Sequence, residues 1–542
     1  MGDKRTHLII WIAILFCLVN GYSSNAQTQT SGTVGSLSWT YNAGTLTLSG
    51  KGDMPEFSWL YEPPWKGLNA SIKAVVVKEG VTSISDEAFK ESSLATLTLP
   101  TGLTRIGSSA FSSCKNLTAV KFQTGLKQIE DNAFSSCSKL TTVTLPAGLK
   151  EIGDKAFHAC KALTSINFPT GVSRIGNDAF SSCSKLTNVT LPAGLKKLGG
   201  GSFAYCWELT SVSIPADVDT VGDCPFISAK LSFISVDKGN THYVSINGVL
   251  YDKERKNLIQ YPPALSSKAY AIPPEVIRIG RSAFYGAEKL TAITLPAGLK
   301  EIGGWSFMYC GMASITIPSR VEKIGSSPFA LCKNLAQIMV VPNNTHYTSL
   351  DGVLLNKAKT ILIQYPNGNN RYTYDIPSGV TTIGQDAFWG NPTLRSITLP
   401  ASVSLIEGRA FASCSGLKYV TVKSKTPPTV DESSFGEVKL SEVTLYIPKG
   451  SRAAYAKAPV WKEFKQITES TVDNALLPES RIYTTDGRLH LSLSRAKTVR
   501  IYKVNGVLTR TLNAPVGEIS VPLANGVYIV QIDESVEKVI VN

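Results

Sequence analysis

Hydrophobic and polar positions along this chain recur with a period of 23 residues. In each repeat an aliphatic residue precedes a phenylalanine by five positions, mostly with glycine after the aliphatic residue and alanine before the phenylalanine. The pairs are Ile84/Phe89, Ile106/Phe111, Ile129/Phe134, Ile152/Phe157, Ile175/Phe180, Leu198/Phe203, Val221/Phe226, Ile279/Phe284, Ile302/Phe307, Ile324/Phe329, Ile383/Phe388 and Ile406/Phe411. Such a fixed period indicates a repeat solenoid, in which no unit can bury its apolar face without a neighbour.

Residues 140–162 show how one repeat is built. Val143 and Leu145 alternate with polar residues, which predicts a short strand with one buried face. Leu149 and Ile152 return to the core, and the two residues between them are polar. The repeat therefore predicts a mainly β solenoid of short strands.

The second half of the repeat predicts a turn. Gly153 is interpreted as a bend with positive φ, which glycine adopts without steric cost. Asp154 is predicted to cap a single helical turn that leads into Phe157. Each coil is thus expected to combine short strands with a helical turn.

The pattern LxxVxLPxxLxxIGxxAFxxC, which runs from about 81 to 425, resembles the BspA-like (type 5) leucine-rich repeats. Residues 32–80 resemble the N-terminal cap of that family, including the pair Pro64-Trp65. The resemblance implies a leucine-rich repeat fold and a secreted or surface-displayed recognition protein. Members are associated with adhesion and host contact, and the family supplies no catalytic residues.

Two inserts interrupt the period, near 232–272 and 336–376. Both contain the sequence Asn-Thr-His-Tyr, so a longer unit of 104 residues has been duplicated. Asn247-Gly248 and Asp351-Gly352 are strong signals for hairpin turns. The inserts are predicted to form short strands that extend a sheet or protrude from its edge.

Both ends of the chain differ from the repeats. Lys4 and Arg5, the apolar run 8–19 and a small-residue cleavage site before Gln27 predict an export signal. No later stretch is apolar and long enough to predict a membrane span. The expected organisation is a signal peptide at 1–26, an N-terminal β cap at 27–80, the solenoid at 81–448, a helical cap at 449–469, a linker at 470–480 and a β-sandwich at 481–542.

The last two segments carry their own signals. Ser451 is predicted to cap a helix, and Trp461 and Phe464 are expected to shield the last coil. Turns at Asp486-Gly487 and Asn505-Gly506 separate strands of period two. The C-terminal segment resembles the sorting domain of the type IX secretion system, which implies delivery to the outer surface.

Nine cysteines follow the signal segment, and most recur three residues after the phenylalanine. Equivalent side chains of stacked coils point in parallel, so we interpret them as a column of small buried hydrophobic residues with free thiols rather than as cystines or metal ligands.

Catalytic and cofactor motifs are absent from the sequence. His158 lies two residues before Cys160, but we interpret it as an exposed ridge residue, and His242 and His346 as hairpin residues rather than metal ligands. We therefore expect no catalytic residue, no cofactor and no metal. A polysaccharide-processing enzyme without a local motif remains the least favoured alternative.

Two sets of outward residues are candidates for ligand binding. Cations lie between the paired core positions, and aromatic residues lie near coil corners, where they could instead be packing residues. The candidates are Arg105, Lys127, Lys150, Arg174, Lys196, Lys197, Lys300, Tyr205, Trp305, Tyr309 and Trp389.

Outward strand positions form a third feature, because they are mostly Thr, Ser and Asn, including Thr142, Thr144, Ser396 and Thr398. The formal charge of +13, or +12 without residues 1–26, favours acidic partners. We expect an exported, non-catalytic recognition protein whose partner is a surface protein or glycan, acidic ones included, and not a nucleic acid. The alternative is a glycan-binding protein for polysaccharide capture.

Overall fold

The computed structural model describes residues 29–57, 61–227, 229–470, 480–485, 487–493, 497–514, 517–532 and 535–541. They form two compact units, one ending at Leu195 and one beginning at Lys196. The predicted signal peptide, most of the predicted linker and Asp486 of a predicted turn lie outside the described residues. No helix in the described part of the chain is long and apolar enough to cross a membrane.

The first unit begins with an antiparallel meander of Ser31–Val34, Leu37–Asn42 and Thr45–Gly50. The meander continues in parallel into Ala74–Val77 and Thr96–Thr98. The ring of Trp65, which precedes the 3₁₀-helix Lys66–Leu68, stacks on Phe89 with centroids 5.5 Å apart. The cap thus supplies both the first strand and the first ring on which later coils stack.

Each following coil contributes one strand to each of two parallel sheets. Sheet A, with buried central residues and exposed flanking ones, comprises Ala119–Lys121, Thr142–Thr144, Ser165–Asn167 and Asn188–Thr190. Sheet B, whose regular strands end in the aliphatic residue of the repeat, comprises Gly52–Asp53, Val81–Ile84, Arg105–Ile106, Gln128–Ile129, Glu151–Ile152 and Arg174–Ile175. Because pairing joins equivalent residues, such as Ile129 and Ile152, the 23-residue period becomes a stack of coils in register.

The core of the first unit contains two columns. Ring centroids of Phe134, Phe157 and Phe180 are 5.4 and 5.3 Å apart, with planes within 9° of parallel. The thiol of Cys160 donates a hydrogen bond to the Phe134 carbonyl oxygen, 3.2 Å away, and is fully buried. The predicted column of buried cysteines is confirmed, and each such thiol ties one coil to another.

The predicted positive φ at Gly153 is wrong. Positive φ occurs instead at Lys155 and Ala159, both at 56°. A Cβ atom on Gly153 would lie 2.6 Å from the backbone nitrogen of Asp131 in the preceding coil. Glycine is therefore required there by the close approach of two backbones, not by a left-handed conformation.

The predicted helical turn is also wrong. Residues 153–159 form turns without a helix, and the amides of Lys155, Phe157 and Ala159 donate to carbonyls of the next coil at 2.8 Å each. Asp154 does not cap its own coil, because its carboxylate accepts a hydrogen bond from the backbone N–H of Asn177, 2.9 Å away. The turn is thus a third line of hydrogen bonds between coils.

The second unit repeats the same design. Its sheet A strands are Ser211–Ile214, Phe233–Val236, Ala269–Ala271, Ala292–Thr294, Ser314–Ile317, Gln337–Val340, Thr373–Asp375, Ser396–Leu399 and Tyr419–Val422. Its sheet B strands are Lys197–Leu198, Thr220–Val221, Arg278–Ile279, Glu301–Ile302, Lys323–Ile324, Thr382–Ile383, Leu405–Ile406 and Thr429–Val430. These strands pair in parallel within several sheets.

Both inserts form the predicted hairpins. The strands are Tyr243–Ile246 with Val249–Asp252, and Tyr347–Leu350 with Val353–Asn356. A third insert strand, Asn257–Gln260 or Ile361–Gln364, pairs antiparallel with the hairpin and parallel with the next regular coil. The sequence did not predict that Tyr261 and Tyr365 replace phenylalanine in the ring column, where they stack on Phe284 and Phe388 at 5.0 and 4.9 Å.

The last strands of the solenoid, Thr444–Pro448 and Gln466–Ser470, extend its sheet in parallel. Trp461 and Phe464 are buried against Phe435. The α-helix is Arg452–Tyr455, and the 3₁₀-helices of this unit are Leu440–Glu442 and Trp461–Glu463. Ser451 makes no side-chain cap, contrary to the prediction, because the carboxylate of Glu469 accepts the Arg452 N–H at 2.9 Å.

The C-terminal segment forms two antiparallel sheets, as predicted from its period-two pattern. One contains Ser480–Thr485, Arg488–Leu493 and Gly517–Pro522; the other contains Lys497–Lys503, Leu508–Ala514, Gly526–Ile532 and Ser535–Val541. Leu489, Leu491, Val499, Ile501 and Val530 belong to one buried cluster. This segment therefore has a core of its own.

Candidate binding surfaces

Arg105, the first candidate cation, is surrounded by carboxylates. Its guanidinium lies 2.6 Å from Glu130, 2.9 Å from Glu56 and 3.2 Å from Asp86. The hydrogen bonds that Arg105 donates to Glu130 raise the pKa of Arg105, and burial raises the pKa of Asp86. Arg105 therefore joins the N-terminal cap to three coils and is not free to bind an acidic partner.

The candidate cations along sheet B form a strip, and in the first unit the positive charges of this strip are balanced by acids. Arg174 lies 2.7 Å from Asp154. Lys127 and Lys150 are exposed, and the described residues give neither a carboxylate partner. Between 103 and 190, however, sheet B and the turn after it carry five cations and five acids. The cations are Arg105, Lys127, Lys150, Lys155 and Arg174, and the acids are Glu130, Asp131, Glu151, Asp154 and Asp178.

The candidate cations of the second unit differ in their surroundings. Lys196 lies 3.4 Å from Asp217, whereas Lys197 and Lys300 are exposed and lack an ion pair within the described ranges. Glu301, next to Lys300, lies 3.5 Å from Arg278 and 3.0 Å from Lys323. Cations and acids thus alternate in this strip as well.

Aromatic side chains at the coil corners of the second unit remain partly open to solvent. Tyr205 is 37% exposed, and Trp207, two residues later, is 54% exposed. Tyr309 packs edge-on against Tyr285 with centroids 5.5 Å apart, and burial raises its pKa. Tyr205, Tyr309 and Trp305 all have positive φ between 57° and 58°, which places these side chains at the turn itself.

Trp305 and Trp389 are half-buried and each lies under an arginine. The guanidinium of Arg281 is 4.2 Å from the Trp305 ring centre, and that of Arg409 is 4.9 Å from the Trp389 ring. One ring face is therefore occupied, so neither tryptophan offers two open faces for stacking on a sugar.

Arg409 also holds a buried carboxylate that the sequence did not reveal. Asp386 has a fully buried side chain and accepts two hydrogen bonds from Arg409 at 2.7 and 2.9 Å. The hydroxyl of Ser327, 59 positions earlier, also donates to Asp386. The cluster joins the two coils between which the second insert leaves the solenoid.

The outward strand residues of sheet A are exposed in the first unit, but some of those in the second unit are buried. Thr142, Thr144 and Asn167 are exposed, whereas Ser396 and Thr398 are buried. The expectation that Ser396 and Thr398 are outward residues is therefore wrong.

Within the described residues, His158, His242 and His346 do not assemble a metal site. The thiol of Cys160 donates to a backbone carbonyl, and His158 is half-buried, which lowers its pKa. The expectation that His158 is an exposed ridge residue is thus wrong. His242 and His346 are exposed, and their backbone N–H groups donate to Asn240 and Asn344 at 2.8 Å.

Grooves also occur in the described parts of the chain, and the two described next contain no candidate residue from the sequence. One, of about 620 Å³, is lined by residues that include Phe57, Lys66 and Asp86. The other, of about 380 Å³, is lined by residues that include His346 and Glu407. Over the described residues, no three His, Cys, Asp or Glu side chains are placed to hold a metal ion.

Comparisons with known proteins place the repeats in context. The family model described as the BspA type leucine rich repeat region matches residues 68–170, 128–246, 264–351 and 365–451. No curated protein matches the chain.

Several solved structures are similar to the chain. A leucine-rich repeat protein from Eubacterium ventriosum is 24% identical over 75% of this chain and 95% of its own, with a TM-score of 0.43. The pneumococcal vaccine antigen PcpA is 19% identical over 82% and 99%, with a TM-score of 0.39. A leucine-rich repeat protein from Bacteroides ovatus is 22% identical over 72% and 94%, with a TM-score of 0.37.

Proposed function

The chain belongs to the BspA-type leucine-rich repeat proteins, and from this premise we propose that it is an exported, non-catalytic recognition protein that binds a macromolecule at a cell or matrix surface through its solenoid. The observation that carries the proposal is the set of partly exposed aromatic corners in the second unit. Tyr205 and Trp207 are 37% and 54% exposed although large aromatic side chains are usually buried.

Aromatic and arginine side chains are the residues that contribute most to protein–protein binding. The corner residues Tyr205, Trp207 and Tyr309, together with the Arg281/Trp305 pair, have this chemistry on a rigid backbone. A side chain held at a turn by stacked coils loses little conformational entropy on binding. A protein ligand is therefore the partner we propose for this surface.

Glycan capture is the second candidate function. It is supported by the exposed hydroxyl and amide groups of sheet A in the first unit, which can exchange hydrogen bonds with sugars. Catalysis is not part of the proposal, and turnover of polysaccharide by the same preparation would argue for the enzymatic alternative instead.

The test is binding of residues 27–542 to immobilised laminin and collagen, with polysaccharide turnover measured in parallel. Replacing Tyr205 and Trp207 with alanine should weaken binding about 30-fold, the effect of losing about 2 kcal/mol at a central aromatic contact. The matched control is the pair Lys127→Gln and Lys150→Gln, which changes exposed side chains of the first unit.

An unchanged affinity of the aromatic variant, or equal losses in both variants, would contradict the proposed surface. Absence of binding to either protein would contradict the proposed partner class. Unfolding midpoints of both variants should match that of the parent, because all four side chains are partly or fully exposed.

A further inference from the structure

Four lysines form a ridge on the first unit that lies apart from the strip described above. Lys115, Lys139, Lys161 and Lys185 follow the buried cysteine of four successive coils by one or two residues, and all four are exposed. We name this set the lysine ridge. It borders the N-terminal ends of the sheet A strands, which begin three or four residues later.

The ridge accounts for the excess positive charge of its region. Residues 103–190 contain ten Lys and Arg but only five Asp and Glu. All five acids lie on sheet B or the turn after it, beside five cations. The remaining five cations are the ridge lysines and Lys121, which is exposed on sheet A and in register with Thr144.

Within the four ridge segments, no acid accompanies the lysines. The four segments from the residue after the phenylalanine to the end of the sheet A strand, 112–121, 135–144, 158–167 and 181–190, contain no Asp or Glu. In the described structure, none of the four lysines forms an ion pair. Their charge is therefore available to a ligand, in contrast to Arg105 and Arg174.

The arrangement of the ridge limits repulsion among its charges. Lys115 and Lys161 follow their cysteines by one residue, and Lys139 and Lys185 by two. At each of these two repeat positions, lysines alternate with neutral residues of the coils between them. Asn116, for example, occupies the same repeat position as Lys139 and accepts a hydrogen bond from its ammonium group at 3.0 Å. The phenylalanine rings of the four coils are spaced by 5.1, 5.4 and 5.3 Å, so the two columns of the ridge together extend for about 16 Å along the stack.

The surface beside the ridge indicates the class of ligand. Thr142, Thr144, Ser165, Asn167 and Thr190 expose hydroxyl and amide groups that can both donate and accept hydrogen bonds. The four ridge segments expose no aromatic residue and contain no arginine. Single-stranded nucleic acid needs aromatic stacking platforms, and lysine is depleted where proteins bind proteins.

From the unpaired lysines and the exposed Thr, Ser and Asn side chains of the adjoining sheet A, we propose that this face of the first unit binds a linear acidic polysaccharide. The lysines attract its sulfate or carboxylate groups, and the Thr, Ser and Asn side chains hydrogen-bond its hydroxyl groups. The inference extends the proposed recognition role to a second surface with a different ligand, and it does not depend on the aromatic corners.

The experiment measures affinity of residues 27–542 for heparin, for hyaluronan and for neutral dextran over a salt series. The ridge variant carries Lys139→Gln, Lys161→Gln and Lys185→Gln. The control variant carries Lys127→Gln, Lys150→Gln and Lys155→Gln, so both lose the same formal charge. The parent should bind at least one acidic polysaccharide, more weakly as salt rises, and should not bind dextran.

The ridge variant should bind at least about tenfold more weakly, which corresponds to the loss of three exposed ion pairs. The control variant should stay within about twofold of the parent. Binding to heparin alone would assign sulfate as the recognised group, and binding to hyaluronan as well would assign carboxylate; both outcomes support the proposal. Equal losses in the two variants, a larger loss in the control, or no binding to either acidic polysaccharide would overturn it.

The laminin and collagen measurement separates this inference from the proposed function. If the ridge variant keeps its affinity for acidic polysaccharide while the Tyr205/Trp207 variant loses protein binding, only the ridge is wrong. If the reverse holds, only the aromatic surface is wrong.

Discussion

The coils between residues 103 and 190 and the coils that begin at Lys196 share one repeat but differ in what they expose. The first set is uninterrupted, and the exposed residues of its lysine ridge and sheet A are lysine, threonine, serine, alanine and asparagine. The second set contains two inserts, aromatic corners and cation–π contacts such as Arg281 over Trp305. A solenoid thus fixes the inward residues of every coil and leaves the outward ones free to acquire different chemistry.

The difference also reaches into the core. In the first set each phenylalanine ring is followed by another at 5.1 to 5.4 Å. In the second, rings stack from Phe203 to Phe226, from Tyr261 to Phe329 and from Tyr365 to Phe435. Each insert therefore begins a new stack with a tyrosine.

The largest effect should come from the ring column. Phe157→Ala removes a ring held between Phe134 and Phe180 and should cost roughly 3 to 5 kcal/mol. Phe226→Ala, whose ring has one stacked neighbour at 6.0 Å, should cost less. Urea midpoints of the two variants measure the comparison. A midpoint for Phe157→Ala equal to that of the parent would contradict stacking as the source of stability.

The next effect concerns the close approach of coils. Gly153→Ala would place Cβ 2.6 Å from backbone and should destabilise by roughly 1 to 3 kcal/mol. At Gly280, the first regular coil after an insert, the nearest atom would be 3.1 Å away, so alanine should be tolerated better. Thermal unfolding of both variants tests whether the inserts relax this contact between coils. A larger loss of stability for Gly280→Ala than for Gly153→Ala would contradict the expectation.

Much of this architecture could be predicted from the sequence, because the period selects one stacking register and the Asn-Gly and Asp-Gly turns select hairpins. The reasons behind single residues could not. Gly153 is required by a backbone of another coil, and Asp154 accepts a hydrogen bond from Asn177 rather than from its own turn. Such requirements arise only when coils are stacked.

The candidate surfaces were predicted less well than the fold. A strip of cations was visible in the sequence, but the carboxylates that approach Arg105 come from residues 19 to 49 positions away. The lysine ridge did have a signal, namely four repeat segments without any Asp or Glu. Counting acids by repeat position would have found it.

A smaller effect should separate paired from unpaired cations. Arg105→Gln should destabilise the first unit by about 1 kcal/mol, since it leaves three nearby carboxylates without a cation. Lys127→Gln should change stability by less than about 0.5 kcal/mol. Urea unfolding measures both, and equal values would contradict a structural role for Arg105.

The smallest expected effect is a difference in the rate at which two buried cysteines are alkylated. Burial raises the pKa of Cys160 to about 12 and that of Cys224 to about 11, from ordinary values near 9. Both should therefore resist iodoacetamide at pH 8, and Cys224, which is 9% exposed, should react before Cys160, which is fully buried. Mass spectrometry over time gives the order, and faster labelling of Cys160 would contradict it.

The same shifts predict a pH dependence of stability. The pKa of Cys160 is higher in the folded than in the unfolded chain, so its protonated thiol contributes to stability. This contribution is fully present below about pH 9 and is lost as the pH rises toward 12. Urea midpoints should thus fall between pH 9 and 11. A Cys160→Ser variant should lose less stability over that range than the parent; an equal loss would contradict the contribution of this thiol.

The central claim is that one solenoid carries two chemically distinct binding surfaces, and hydrogen–deuterium exchange tests it most directly. Peptides of residues 27–542 are compared with and without saturating heparin and with and without laminin or collagen. The account predicts protection by heparin within 112–121, 135–144, 158–167 and 181–190, and protection by the protein ligand around Tyr205, Trp207 and Trp305. Protection of the same segments by both ligands, or protection confined to residues 481–541, would contradict it.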